Sequence, residues 1–313
     1  MKTVLTTSPS AAAEFIKRGG LAAFPTETVY GLGANVFDET AVAKIFEAKQ
    51  RPGDNPLIAH VSDAADIAKL AIEISAAAQK FMEAFFPGPL TVVLRKSANV
   101  PLIATAGLDS VGVRMPRNRI AREFLTACGV PVAAPSANLS GRPSPTSWEA
   151  VFEDLNGRID CILQGETTEI GLESTVVDCT KETPTVLRPG AVSIEQLRSV
   201  VRDTIIFAGS DSDKVPSPGM RHRHYSPRAK VRLIDTDSDV TDTEVSAFIG
   251  LKQPVNDHAL TKLCGSPEEY AHSLFAFFRE CDLRGIPTIY CETVPEKGIG
   301  VALMDRLRRA AAR

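Results

Sequence analysis

Short apolar runs alternate along the chain with stripes of helical period, each run bounded by glycine, proline or a capping residue. Ser8-Pro9 reads as an N-cap followed by proline at the first helical position, with Ala12, Phe15 and Ile16 on one face. Gly19-Gly20 stops that helix, and the run from Leu21 to Phe24 predicts a buried strand. A turn through Gly31 and Gly33 leads to Asp38, which caps a helix burying Val42, Ile45 and Phe46. That helix must end before Pro52-Gly53, so Lys49 falls in its last turn and Arg51 just past it. A strand over 57–61 follows, then helices over 64–71 and 75–86, the second with Ala78, Phe81, Met82 and Phe85 as its apolar stripe. Beyond Pro87-Gly88-Pro89 the pattern predicts strands over 91–94 and 111–114, then a helix turning Ile120, Phe124 and Leu125 inward. A buried strand over 130–134 opens into Pro135-Ser136-Ala137-Asn138. Trp148, Val151, Phe152 and Leu155 mark a helix, strands over 161–164, 175–178 and 185–187 follow, and Ser193 with Gln196 forms a capping box.

Strands and helices mix too irregularly for a strict βαβ series, so the expected fold is α/β: a mixed, twisted sheet with packed helices over residues 1–208. From 209 the composition shifts to Ser, Asp, Pro and Gly and then to a basic run, which predicts a linker over 209–230. The remaining residues, 231–313, predict a small open α/β domain. Its elements are a strand over 231–235, a helix, a strand near Leu260, a helix opened by a Ser266/Glu269 capping box, a strand over 286–291 and a helix over 301–312.

Composition narrows the function classes. A hydrophobic fraction of 44% and a charged fraction of 23% are ordinary for a globular chain of 313 residues, and a net charge of -3 argues against a whole-surface nucleic-acid footprint. The six cysteines are scattered, with no C-x-x-C and no zinc spacing, so buried free thiols in a reducing compartment are expected. No apolar run approaches the roughly 20 residues of a membrane helix, and the N-terminus turns polar at Thr6-Thr7-Ser8; the expectation is a cytoplasmic protein with no membrane partner.

The chemistry-bearing residues gather near element ends. No G-x-x-x-x-G-K-[ST] loop occurs, and Gly31-Leu-Gly33 lacks the third glycine of a dinucleotide fingerprint. Lys49 and Arg51 either complement a helix C-terminus or, with Asn55 and His60 close behind, form a polyphosphate grip. Ser136, Asn138 and Ser144 follow a strand's carboxyl end, where they either make an ordinary loop or donate to phosphate and ribose oxygens. Arg114 is either a surface residue or a bidentate clamp for a carboxylate. His222-x-His224 has no acidic or cysteine partner nearby, which argues against a metal. The basic run over 221–232 leaves a weak contact with RNA phosphates open, and Gly298-x-Gly300 reads as a turn or a phosphate nest.

The order of these motifs carries a resemblance. P-T-E-T-V-Y-G-L-G, K-Q-R-P…N-P-L-I-A-H, V-G-V-R-M-P, S-A-N-L-S-G-R-P-S-P-T, E-S-T-V-V-D and L-R-P-G are similar to the threonylcarbamoyl-AMP synthase family, whose signature is K-x-R with a downstream S-x-N. S-P-G-M-R-H-R-H-Y-S-P and E-K-G-I-G-V-A-L-M-D-R-L-R-R-A resemble its long, two-domain form. The resemblance implies a nucleotidyltransferase that makes threonylcarbamoyl-adenylate and pyrophosphate from L-threonine, bicarbonate and ATP, with Mg2+ carried by the ATP. It implies that the product passes to a tRNA-modifying transferase. It matches Thr28, His60, Arg114, the backbone at Ala134, and Ser174 to L-threonine. Lys49, Arg51, Asn55, Ser110, Ser136, Asn138, Ser144, Arg188 and Tyr225 match nucleotide positions, with Lys49 and Arg51 the catalytic cations. A nucleotide contact from Tyr225 would require the linker to fold over the site as a lid. Rival readings are an RNA-binding module, a carbamoyl-transfer domain of the hydrogenase-maturation type, and a threonine- or nucleotide-sensing protein without turnover.

Overall fold

The structure is a computed structural model and describes residues 2–207, 226–236, 240 and 243–312. The expected α/β architecture is present. A 12-stranded sheet runs in the order Val4–Thr6, Cys161–Leu163, Ala22–Phe24, Gly31–Asn35, Val132–Ala134, Ile58–His60, Ser110–Arg114, Leu90–Lys96, Thr175–Asp178, Thr185–Arg188 and Ile205–Ile206, with Ala71–Glu73 pairing Leu90–Lys96 off that path. Its pairings mix both senses: Ile58–His60 lies parallel to Ser110–Arg114 and antiparallel to Val132–Ala134. One side is filled by a core around Tyr30, Leu32, Val42, Ile45, Phe81 and Val113. The other is filled by Ile16, Phe24, Phe124 and Leu125.

Local chemistry accounts for the element ends. Ser8, Asp38, Ser75, Asn118 and Ser147 each accept a backbone N–H with the side chain, as N-caps do. The Ser193/Gln196 capping box is complete in both directions. At Glu269 the structure differs: Ser266 accepts from the Glu269 amide, but the Glu269 carboxylate turns to Gly265 N and Lys262. The reciprocal half of that box is therefore absent. Gly31 and Gly33 also depart from expectation, because they lie within a strand rather than a turn. Packing is the reason: a Cβ at Gly33 would sit 2.6 Å from Val132 Cγ1 on the next strand. All six cysteines are free and buried, and burial pushes the Cys128, Cys161 and Cys179 thiols up to about 12. No helix among the described residues is long and apolar enough to cross a membrane.

A second sheet of four parallel strands runs Lys230–Ile234, Thr288–Glu292, Ser246–Gly250, Leu260–Leu263. The helices Pro267–Leu283 and Gly300–Ala311 pack on it through Phe275, Phe278, Leu303 and Leu307. The central strand Ser246–Gly250 was not expected from the sequence. The residues described between Ile234 and Ser246 include a single 3-10 turn, Thr243–Val245, where a helix was expected.

Candidate active site

Parallel pairing places His60 directly beside Arg114 at the carboxyl ends of neighbouring strands. Antiparallel pairing sets Ala134 on the other flank, opposite Ile58. The chain past Ala134 then crosses Gly31 through an isolated bridge at Ser136. Strand ends thus deliver groups from distant stretches to one place, as ligand sites in open α/β sheets require.

One pocket results, and seven of the fourteen expected residues line it. Of the positions matched to threonine, His60, Arg114, Ala134 and Ser174 line it. Thr28 is buried just behind, its hydroxyl 2.8 Å from that of the lining residue Thr26. Of those matched to the nucleotide, Arg51, Ser136 and Arg188 line the same pocket. Arg188 is folded onto Ser174, its Nη2 donating to Ser174 O at 2.9 Å and Ser174 Oγ at 3.2 Å. Asn55 supports Arg51, whose Nη2 donates to the Asn55 carbonyl at 3.3 Å.

Three further expected residues, Lys49, Asn138 and Ser144, sit behind the wall. Lys49 is buried, and its Nζ donates to the carbonyl oxygens of Ser136, at 2.6 Å, and of Asn138. Burial and then the neighbouring Arg51 charge pull its pKa well below the ordinary lysine value. Asn138 takes a donation from Ser136 Oγ at 2.6 Å and spends its amide on Leu139 O and Arg142 O. Ser144 donates to Glu173 Oε1 at 2.5 Å. The hydroxyls expected to reach phosphate or ribose are therefore already engaged within the protein. Ser144, with its hydrogen committed to a carboxylate, presents lone pairs.

Ser110 begins the strand that Arg114 ends and is not part of the pocket wall. Tyr225, the His222-x-His224 pair and most of the linker lie outside the described residues. Gly298 adopts φ 56 and leads by a turn into the helix Gly300–Ala311.

Two electrostatic features were not foreseen. Arg114 is no surface residue: it is 4% exposed, and its Nη2 lies 2.6 Å from Glu27 Oε1. Its Nε faces Gly88 O at 3.4 Å, so among the described residues Nη1 is the nitrogen left for a carboxylate in the pocket. Glu27 lies inside P-T-E-T and Glu173 inside E-S-T, and a carboxylate flanked by hydroxyl residues was the available signal. His60 is the second feature. Burial, and then the Arg114 charge, lower its pKa to about 3, and Nδ1 lies 3.1 Å from Ile58 O. It is a neutral polar hook at working pH.

That depression has a sign. The unfolded imidazole takes a proton below about pH 6.5 while the folded one does not, so stability falls as pH drops from there towards 3. Between pH 8 and pH 5 this side chain should remove about 2 kcal/mol of unfolding free energy. Urea unfolding at the two pH values should show a difference that shrinks by about that amount in His60→Gln. An unchanged difference would mean that the imidazole titrates normally.

The fold and this cleft define a class: a mixed α/β protein whose strand ends gather polar side chains beside cations able to grip an anion. Comparison with known proteins sharpens it. Residues 14–190 match the family model described as "Telomere recombination" (Sua5_yciO_yrdC), and residues 192–312 match the model "Threonylcarbamoyl-AMP synthase, C-terminal domain". The threonylcarbamoyl-AMP synthase of Pyrococcus abyssi is 45% identical over 96% of this chain and 93% of its own length. That of Bacillus subtilis is 39% identical over 96% and 92%. A crystal structure of P. abyssi Sua5 complexed with L-threonine superposes with a TM-score of 0.91 at 42% identity, covering 99% of this chain and 97% of that one. The chain belongs to the threonylcarbamoyl-AMP synthase family, in its two-domain form.

Proposed function

We propose that the protein joins L-threonine, bicarbonate and ATP into threonylcarbamoyl-adenylate, releasing pyrophosphate, and is thus a nucleotidyltransferase. The observation that carries this reading is the single pocket shared by Arg114, His60 and Ser174 with Arg51, Ser136 and Arg188. Arg114 Nη1 takes the threonine carboxylate, and the neutral His60 with Ser174 serves the amine and hydroxyl, Thr28 acting from behind through the Thr26 hydroxyl. A site built to hydrogen-bond a hydroxyl rejects analogues lacking it far better than an apolar pocket does.

The amine condenses with bicarbonate to a carbamate, with loss of water. A carbamate oxygen then forms the new bond to the α-phosphorus, and the bond to the pyrophosphate oxygen breaks. The protein's part is alignment and neutralisation of spreading charge, through Arg51 directly and Lys49 at the Ser136–Asn138 backbone. Magnesium enters as the ATP chelate and supplies further charge neutralisation when bound. Glu173 in the wall and Glu27 behind it are each paired with a buried arginine, and no group of three His, Cys, Asp or Glu among the described residues could hold a metal. The adenylate serves a tRNA-modifying transferase in the cytoplasm.

Pyrophosphate release measured with each substrate omitted in turn tests the reading. Release should need threonine, bicarbonate and ATP together. Release from ATP with no threonine requirement would overturn it.

A further inference from the structure

The second sheet's helices bury two arginines, which is costly unless each finds a partner. Arg306, in Gly300–Ala311, is 0% exposed, and Arg279, in Pro267–Leu283, is 6% exposed. Arg306 Nη1 meets its helix neighbour Asp305 at 2.6 Å, and the further partners of both arginines lie in the first unit, beside the pocket. Arg306 Nε donates to Glu173 Oε2 at 2.9 Å and Nη2 to Pro189 O at 3.1 Å, next to Arg188. The other oxygen of Glu173 holds Ser144 Oγ at 2.5 Å. Arg279 Nη2 donates to Asp154 Oδ2 at 2.8 Å and to Pro143 O at 2.6 Å, next to Ser144. Asp154 Oδ2 also accepts the Leu139 amide at 3.2 Å, which fixes the chain just after Asn138. The units approach closely enough that a Cβ at Gly171, two residues before Glu173, would lie 2.5 Å from the His272 Cα.

We infer that Arg306 and Arg279 are positioning residues for the nucleotide half of the site, acting through Glu173 and Asp154 on Ser144 and on the loop after Asn138. The second unit then completes a site whose wall lies in the first. Arg306 touches no substrate; it sets the carboxylate that fixes the direction of the Ser144 hydroxyl. Arg279 holds the backbone on the other side of the same serine. The inference rests on the reading of the pocket as an ATP site.

A double-mutant cycle in the full chain tests it. Arg306→Gln should raise the KM for ATP about tenfold and leave the KM for threonine within about twofold, because the displaced group serves the nucleotide. In a Ser144→Ala background the same change should add less than about twofold, since both act through one hydroxyl. Arg306→Lys, which keeps the charge but loses the forked reach to Pro189, should recover part of the ATP affinity, and the cycle is read on it should Arg306→Gln not fold. Equal effects in the two backgrounds, or matched rises in both KM values, would overturn the relay. If the unmodified protein shows no threonine-dependent pyrophosphate release, the ATP-site reading itself fails and the relay falls with it.

Discussion

Replacing Lys49 by methionine should lower threonine-dependent pyrophosphate release by a hundredfold or more, as about 3 kcal/mol of lost transition-state stabilisation requires. The choice of methionine matters. Lys49 is 1% exposed, and its ammonium is caged by the carbonyl oxygens of Ser136 and Asn138. Truncation to alanine would open a cavity as well as remove the charge, and the two losses could not be told apart. Methionine fills much the same volume. It leaves the two carbonyls without their charged donor, a loss on the order of 1.5–3 kcal/mol of stability for a hydrogen bond to a charged group. An unfolding curve should therefore shift modestly while turnover collapses. A variant with near-wild-type turnover and reduced stability would make Lys49 a structural clasp for the S-A-N turn and remove it from the chemistry.

The position of Lys49 shows how far the sequence could be read. Its place in the last turn of a helix followed from Pro52 and from the Asp38 cap, and Glu39–Lys49 is the observed helix. Its direction did not follow, because the carbonyls that hold it come from a loop 87 residues away. The same division holds for the other site residues. Arg114 and His60 were placed at strand ends by local pattern, whereas their adjacency depends on which strands pair, a long-range outcome. The ion pairs Arg114–Glu27 and Arg306–Glu173 span 87 and 133 residues, and the hydroxyl residues beside each carboxylate mark it locally without showing which arginine it meets. Strand Ser246–Gly250 was missed for another reason. All five of its residues are buried, so it lacks the alternation that marks a half-exposed strand, and it is too short to separate from a buried helical segment by period. Gly31 and Gly33 misled in the opposite direction. Glycine usually signals a turn, but here it makes room for the Phe24 ring and Val132 within the sheet.

Arg114→Ala should act on binding and on folding together, and the Glu27 contact explains why. The pair is buried on both sides, at 4% and 2% side-chain exposure, so removing the guanidinium strands the Glu27 carboxylate. Breaking a buried pair in this way costs about 3–5 kcal/mol. Oε2 of Glu27 also accepts the Arg117 amide at 3.2 Å, so the loop after the Ser110–Arg114 strand should loosen. Threonine affinity should drop by roughly a hundredfold, because a charge-assisted contact to the ligand carboxylate is worth about 2–5 kcal/mol when its partner is truncated. The two effects can be separated. In the double variant Arg114→Met with Glu27→Gln neither charge remains, so stability should recover towards that of the unmodified chain. Threonine binding, followed by calorimetry, should stay lost, since no cation then faces the pocket from that strand. Recovery of threonine affinity along with stability would show that Arg114 serves only to neutralise Glu27, and that the substrate carboxylate is held by Arg188 or Arg51 instead.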